Sequence, residues 1–233
     1  MNRRTIAWIA GAFGVLVVAG VAVWWFVLRS DAPPAVSLDS AVEEAREVAG
    51  DGSPGGDVAG TWVPLGDGTS FVGYRVEEEL ASIGFTTAAG RTGDVEGSLV
   101  IEGTTVTEVS IVADMTTLRS DSSFRDGAIR RQALETDTFP TASFTLAEPI
   151  DLPAGAADGA PFAADAVGDL EIHGVTNRVT IPLEAQLVEG TIVVIGSTEI
   201  LFADYEIDKP TAAAVLSVDD RGIMEMQLVF TRG

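Results

Sequence analysis

Val179-Thr180-Ile181-Pro182-Leu183-Glu184-Ala185-Gln186-Leu187 decides the fold. Every second side chain is apolar, and Thr, Pro, Glu and Gln stand between. A period of two with one wet face marks a strand that buries a single side, and such strands pair antiparallel. Pro182 lies on the polar side, so the strand is expected to be an edge or bulged there. The alternation returns in Met224, Met226, Leu228 and Phe230, in Leu170 and Ile172, in Val95, Gly97, Leu99 and Ile101, and in Ala142, Phe144 and Leu146. Glycine turns at Glu102-Gly103-Thr104, His173-Gly174-Val175 and Glu189-Gly190-Thr191 separate several of these runs.

Extended outward, the pattern predicts strands over 70–79, 83–91, 94–102, 105–115, 141–149, 166–173, 176–189, 191–200 and 222–231. Only Ser122 to Leu134 reads as helix, and 154–161 reads as loop. The expected class is all-β. Sequential hairpins with one wet face point to an antiparallel up-and-down barrel of about eight strands with one short helix, with a sandwich as the alternative. A barrel of that size is either filled by its own side chains or holds one small ligand. Gly97, Ala142 and Ala185 take inward positions without filling them, so both outcomes stand. The candidate wall is Tyr74, Phe85, Leu99, Ile101, Ile111, Phe124, Phe144, Leu170, Ile181, Met224 and Leu228.

The other end of the chain differs. Ile6 to Leu28 holds 23 residues without a charge. As a helix it spans roughly 35 Å, enough for a hydrocarbon core of about 30 Å. It exceeds the apolar region of a secretory signal, although a cleaved signal peptide is the alternative. Arg3 and Arg4 precede it and every acidic residue follows it, which places the N-terminus in the cytoplasm and the rest outside. The expected organisation is a transmembrane anchor over 1–29, a flexible acidic stalk over 30–59 rich in Pro and Gly, and a barrel domain over 60–233. Within the stalk, Ser40-Ala41-Val42-Glu43 spells a capping box, and Ala41 to Ala49 can make two turns of helix.

Composition excludes several functions. The chain has 233 residues, 14 basic and 35 acidic side chains, and a formal net charge of −21. Nucleic acid is not an expected partner, because no basic run offers counterion release. There is no Cys, which removes disulfides, thiol nucleophiles and Cys-bound metals. With a single His, His173, no multi-His metal site can form. That residue is read as outward, beside its turn. Asp204, Glu206 and Asp208, with Asp219 and Asp220, are an oxygen-ligand set without the spacing of a calcium loop. Arg125 and Asp126 lie in the helical stretch, as a polar gate or as a salt bridge and cap. Arg130-Arg131 reads as a solvated helix face. No residues are spaced as an activated nucleophile or an acid–base pair, so neither an enzyme nor a cofactor is expected.

Several short motifs then fall in a recognisable order. Gly60-x-Trp62 precedes Ser70-x-Val72-Gly73-Tyr74-x-Val76, Gly90-Arg91-Thr92 and Val95-x-Gly97. Asp114-Met115-x-x-Leu118-x-Ser120-Asp121 leads to Arg125-Asp126 and Phe139-Pro140-Thr141-Ala142-x-Phe144. Gly168-x-Leu170-x-x-His173-Gly174-Val175-Thr176 and Phe202-x-x-Tyr205-x-Ile207 follow. In this the domain resembles the YceI-like lipid-binding proteins. The resemblance implies a lipocalin-like barrel whose interior takes a long polyisoprenoid chain, such as a quinone or a lipid carrier, in an exported protein. The anchor and the Gly73-Tyr74-Arg75-Val76-Glu77 spelling resemble the family's membrane-anchored actinobacterial branch. Many relatives carry His where this chain has Glu78; if that His contacts a head group in them, head-group recognition here is expected to differ or to be absent. A structural or protein-interaction module with a filled barrel is the rival reading.

Overall fold

Among the described residues, thirteen strands join in one antiparallel sheet. The computed structural model describes residues 32–49, 57–66, 68–81, 84–212 and 215–233. In chain order the strands are β1 (Gly60–Pro64), β2 (Phe71–Leu80), β3 (Gly84–Thr92), β4 (Val95–Glu102), β5 (Thr105–Asp114), β6 (Arg119–Ser120) and β7 (Thr141–Leu146). Then come β8 (Ile150–Asp151), β9 (Phe162–Ile172), β10 (Val175–Val188), β11 (Thr191–Leu201), β12 (Val215–Val218) and β13 (Arg221–Arg232). All nine predicted strands are present within a few residues. The short β1, β6, β8 and β12 are additional, because pieces of two to five residues carry too little alternation to read.

Eight strands close a ring: β1, β4, β5, β7, β9, β10, β11 and β13, with β1 bonded to both β4 and β13. The sandwich alternative falls away. The two ends of this ring are built differently. Near the C-terminus of β13, Phe230, Thr231 and Arg232 pair with β1, which seals the wall. Earlier in β13, Ile223 to Gln227 pair instead with β2, and β2 carries β3 and β6 on its other side. There the sheet flares. The gap is roofed by residues 115–140, inserted between the paired strands β5 and β7 and reaching β3 through β6.

The roof contains helix α2 (Ser123–Ala128), whose N-terminus is capped by Ser122 accepting from the Arg125 N–H. One wide turn, Ile129–Ala133, continues it. At Pro182 the strand is half an edge. Residues 175–182 of β10 pair with β9 alone, and pairing with β11 begins at Leu183. A proline without an N–H costs nothing on the unpaired side.

The sealed end packs around Trp62. Trp62 is 2% exposed and donates its indole N–H to the Val58 carbonyl at 2.9 Å. It packs with Leu99, Leu228 and Phe230, and the Arg232 guanidinium lies 4.6 Å from its ring.

The expected flexible stalk over 30–59 gives way at helix α1 (Leu38–Ala49). Ala41, Val42 and Ala45 share one face of this helix and are buried against Val188, Val193, Ile195 and Val229 on the outside of the barrel. Glu43 and Glu47 face water. The anchor expected over Ile6–Leu28 lies outside the described residues. Among the described residues, no helix is long and apolar enough to cross a membrane.

Candidate functional site

Alternation puts one side chain in two inside the ring, and these side chains leave space. A cavity runs along the barrel, from Val58, Leu152 and Ala156 near the sealed end to Pro210 and Val218 near the flare. The centres of water-sized bodies can occupy about 280 Å³ of it. The wall is almost wholly aliphatic and aromatic. Its charged members are Glu78 and Arg125, which are bonded to each other.

Small residues make the space. A Cβ on Gly90 would lie 2.6 Å from the Tyr74 ring, and one on Gly168 would lie 2.3 Å from the Phe144 ring. Each glycine lets an aromatic ring lie flat across the inner face rather than project into the lumen. Ala88, Ala142, Ala164 and Ala166 add to the wall without filling it.

Of the eleven predicted wall residues, Tyr74, Leu99, Ile101, Ile111, Phe144, Leu170, Ile181, Met224 and Leu228 line the cavity. Phe85 and Phe124 do not. Phe85 is 79% exposed. It pairs with Glu79, whereas the cavity-lining Ala88 and Gly90 region sets the opposite parity for the inner face. Phe124 is 91% exposed, on the outer side of the roof helix.

Arg125 and Asp126 part company. Arg125 lines the cavity and places Nη2 2.6 Å from the buried Glu78 carboxylate. Asp121, four residues earlier and just before the N-cap, holds its other nitrogen. Burial works against the guanidinium charge, but the bond to Glu78 and the two carboxylate charges outweigh it and raise its pKa. Asp126 turns away from the lumen and accepts from the Ser120 N–H at 2.8 Å and the Ser120 hydroxyl at 2.7 Å. It pins the roof rather than gating the cavity. Beside this pair the Tyr74 hydroxyl is buried without a hydrogen-bond partner. Burial drives its pKa far upward, against the pull of Arg125, so the phenol stays neutral.

His173 serves the turn. With φ of 53° at His173 and 74° at Gly174, the two form the tight loop between β9 and β10. The ring meets the Tyr205 carbonyl at 3.1 Å, the Glu135 carboxylate at 3.2 Å and the Phe139 ring edge-on at 4.5 Å. It fastens the roof to the barrel. Arg130 pairs with Asp137. Asp220 is bound to Lys209, and among the described residues no three acidic or His side chains gather into a metal cluster.

Sequence reasoning singles out Arg125 but misses Glu78 as its partner, which only the flare of β2 toward the roof brings into reach. Alternation does pick out Ala142 and Ala185 as small inward residues, but it misses Ala88, Ala164 and Ala166, which carry no hydrophobic signal of their own.

Comparison with known proteins agrees with this geometry. Residues 68–230 match the profile of the YceI-like domain. Among solved structures, a polyisoprenoid binding domain from Saccharophagus degradans, implicated in plant cell wall breakdown, superposes with a TM-score of 0.59 at 21% identity. That match covers 75% of this chain and 99% of the other. BcnA of Burkholderia cenocepacia gives 0.54 at 16% identity, over 69% of this chain and 95% of its own. No curated protein matches. At these identities the structural likeness establishes the fold.

Proposed function

Since this chain belongs to the YceI-like domain family, we propose that it is a non-enzymatic binding protein that holds an isoprenoid-type lipid, a quinone or a polyprenyl carrier, inside its barrel. In this reading it is a membrane-anchored, actinobacterial-type member. Ile6–Leu28 ties it to the cell membrane and the barrel lies outside the cytoplasm.

The observation that carries the proposal is the lengthwise cavity with a nearly uncharged wall. A polyprenyl tail offers only CH₂, CH₃ and CH=CH groups, and burying them gains about 25 cal/mol per Å². Such a ligand needs a dry channel and no nucleophile or metal. A filled barrel would have favoured the interaction-module reading. The Saccharophagus degradans domain, a polyisoprenoid binder of the same fold, adds support.

The test is mass spectrometry of a solvent extract of the purified chain. An isoprenoid lipid near one per protein is expected. Ala142→Trp, placed on the cavity wall, should keep the fold at a cost of about 1–3 kcal/mol and lose the lipid. Protein that arrives empty, and takes up neither quinone nor polyprenol, overturns the proposal.

A further inference from the structure

The outer surface at the flared end and the path of the first described residues point in one direction. We propose that the flared end of the barrel rests on the lipid bilayer, so that the cavity opens against the membrane that supplies its ligand. The inference rests on the reading of Ile6–Leu28 as a membrane span.

Three large apolar side chains stand exposed in the rim, among acidic ones. Phe85, Phe124 and Leu216 are 79%, 91% and 63% exposed. All three stand beside Glu78 and its partners. Phe85 is the residue before Thr86, the cross-strand partner of Glu78. Leu216 belongs to β12, which pairs with β2 from Glu78 to Leu80. Phe124 precedes Arg125, which holds the Glu78 carboxylate. Exposed apolar residues scattered singly need no explanation, but three gathered at one end of an apolar cavity do.

The chain approaches from that side. On α1, Glu44 accepts from Gln227, which is level with Phe71 on β2. Ten residues earlier the Pro34 carbonyl accepts from Arg91, level with Gly73, at 2.9 Å. The Pro33 carbonyl then accepts from Arg75 at 2.7 Å. Read backward toward the N-terminus, the backbone climbs β2 from residue 71 to 73 to 75, toward Glu78 and the tip at Leu80. Both arginines are set by the buried Glu225 carboxylate, at 2.9 Å from Arg91 and 3.7 Å from Arg75. From Pro33 back to Leu28 is five residues, at most about 18 Å of chain. From Arg75 to the tip of β2 is about 17 Å of strand. A span ending at Leu28 is therefore within reach of the bilayer surface at the level of the rim.

The proposal also specifies the surface. Glu77, Glu79 and Asp219 flank Phe85. Anionic headgroups would repel them, so a neutral lipid surface is the fitting partner. A tail entering there never crosses water.

The chain has no cysteine, so one introduced thiol carries a fluorophore at a single site. Phe124→Cys and Leu216→Cys report the rim. Thr104→Cys, exposed in the β4–β5 turn at the sealed end, is the control. Each labelled full-length chain is reconstituted in phosphatidylcholine vesicles containing a headgroup-nitroxide lipid. Emission from positions 124 and 216 should be quenched several-fold more than from 104. Replacing part of the phosphatidylcholine with phosphatidylglycerol should reduce the difference. Adding Phe85→Asp to the Leu216→Cys chain should reduce it further while near-ultraviolet circular dichroism stays unchanged. Equal quenching at the two ends, or a chain that does not float with the vesicles, overturns the inference. Lipid in the solvent extract without rim quenching removes this inference and leaves the carrier reading. Rim quenching with an empty barrel does the reverse.

Discussion

The two ends of the barrel are held by different physics. At the sealed end, β1 closes the ring and Trp62, Leu99, Leu228 and Phe230 pack without an ionisable group among them. At the flared end, beside a smaller apolar cluster of Leu170, Ile200 and Tyr205, the roof over 115–140 is fastened to the barrel by polar contacts: Arg125 to Glu78, Glu135 to His173, and Gln132 to the Thr211 N–H. Apolar packing is non-directional and is lost only when the wall comes apart. Polar fastenings can be released singly. In the proposed carrier, the sealed end would keep the wall together while the polar fastenings of the other end are released to admit the guest.

The largest effect should come from the sealed end. Trp62→Ala removes a nearly fully buried indole and its bond to Val58, and should cost about 3–5 kcal/mol in denaturant unfolding. Phe124→Ser, at the other end and exposed, should stay within about 0.5 kcal/mol of the parent. If the two variants unfold alike, the division of labour between the ends is wrong.

Arg125→Met sharpens the comparison from the flared side. It leaves the Glu78 carboxylate buried without its cation, and losing a hydrogen bond to a charged group costs about 1.5–3 kcal/mol. The loss should be local. Amide exchange should quicken over 119–134, and the proposed lipid should exchange faster, while amides of β1 and β4 keep their protection. Uniform acceleration through both ends would show that the roof and the ring are one cooperative unit.

The same contrast explains what can be read from the sequence. The ring is written in long alternating runs, and Val179 to Leu187 and Met224 to Phe230 fall where their periods put them. Inner faces follow parity, which is why nine wall residues can be named. Phe85 reads as wall because its size suggests burial, whereas the parity set by Ala88 and Gly90 turns it outward. Helix α1 reads as stalk because its buried face consists of Ala41, Val42 and Ala45, too small to stand out among Glu43, Glu44 and Glu47. The spacing of those three is the available signal. The Glu78–Arg125 contact spans 47 residues and depends on how far β2 departs from the ring, which no local pattern records.

The smallest effect concerns acid. Asp114 ends β5 where the roof begins, and its carboxylate accepts from the Thr116 hydroxyl at 2.6 Å and the Thr116 N–H at 2.8 Å. These bonds, the side-chain one foremost, hold its pKa below the ordinary value of 3.8. A carboxyl whose folded pKa is depressed stabilises the fold above its unfolded value, and the contribution is lost as pH falls through the folded one. Below about pH 4, the roof should therefore loosen before the sealed end, whose core has nothing to protonate. Asp114→Asn keeps a good capping group and should change stability at neutral pH by only a few tenths of a kcal/mol. It should also flatten the acid dependence of amide exchange at Met115 to Leu118. An unchanged acid response in that variant would show that the Asp114 cap does not set the acid sensitivity of the roof.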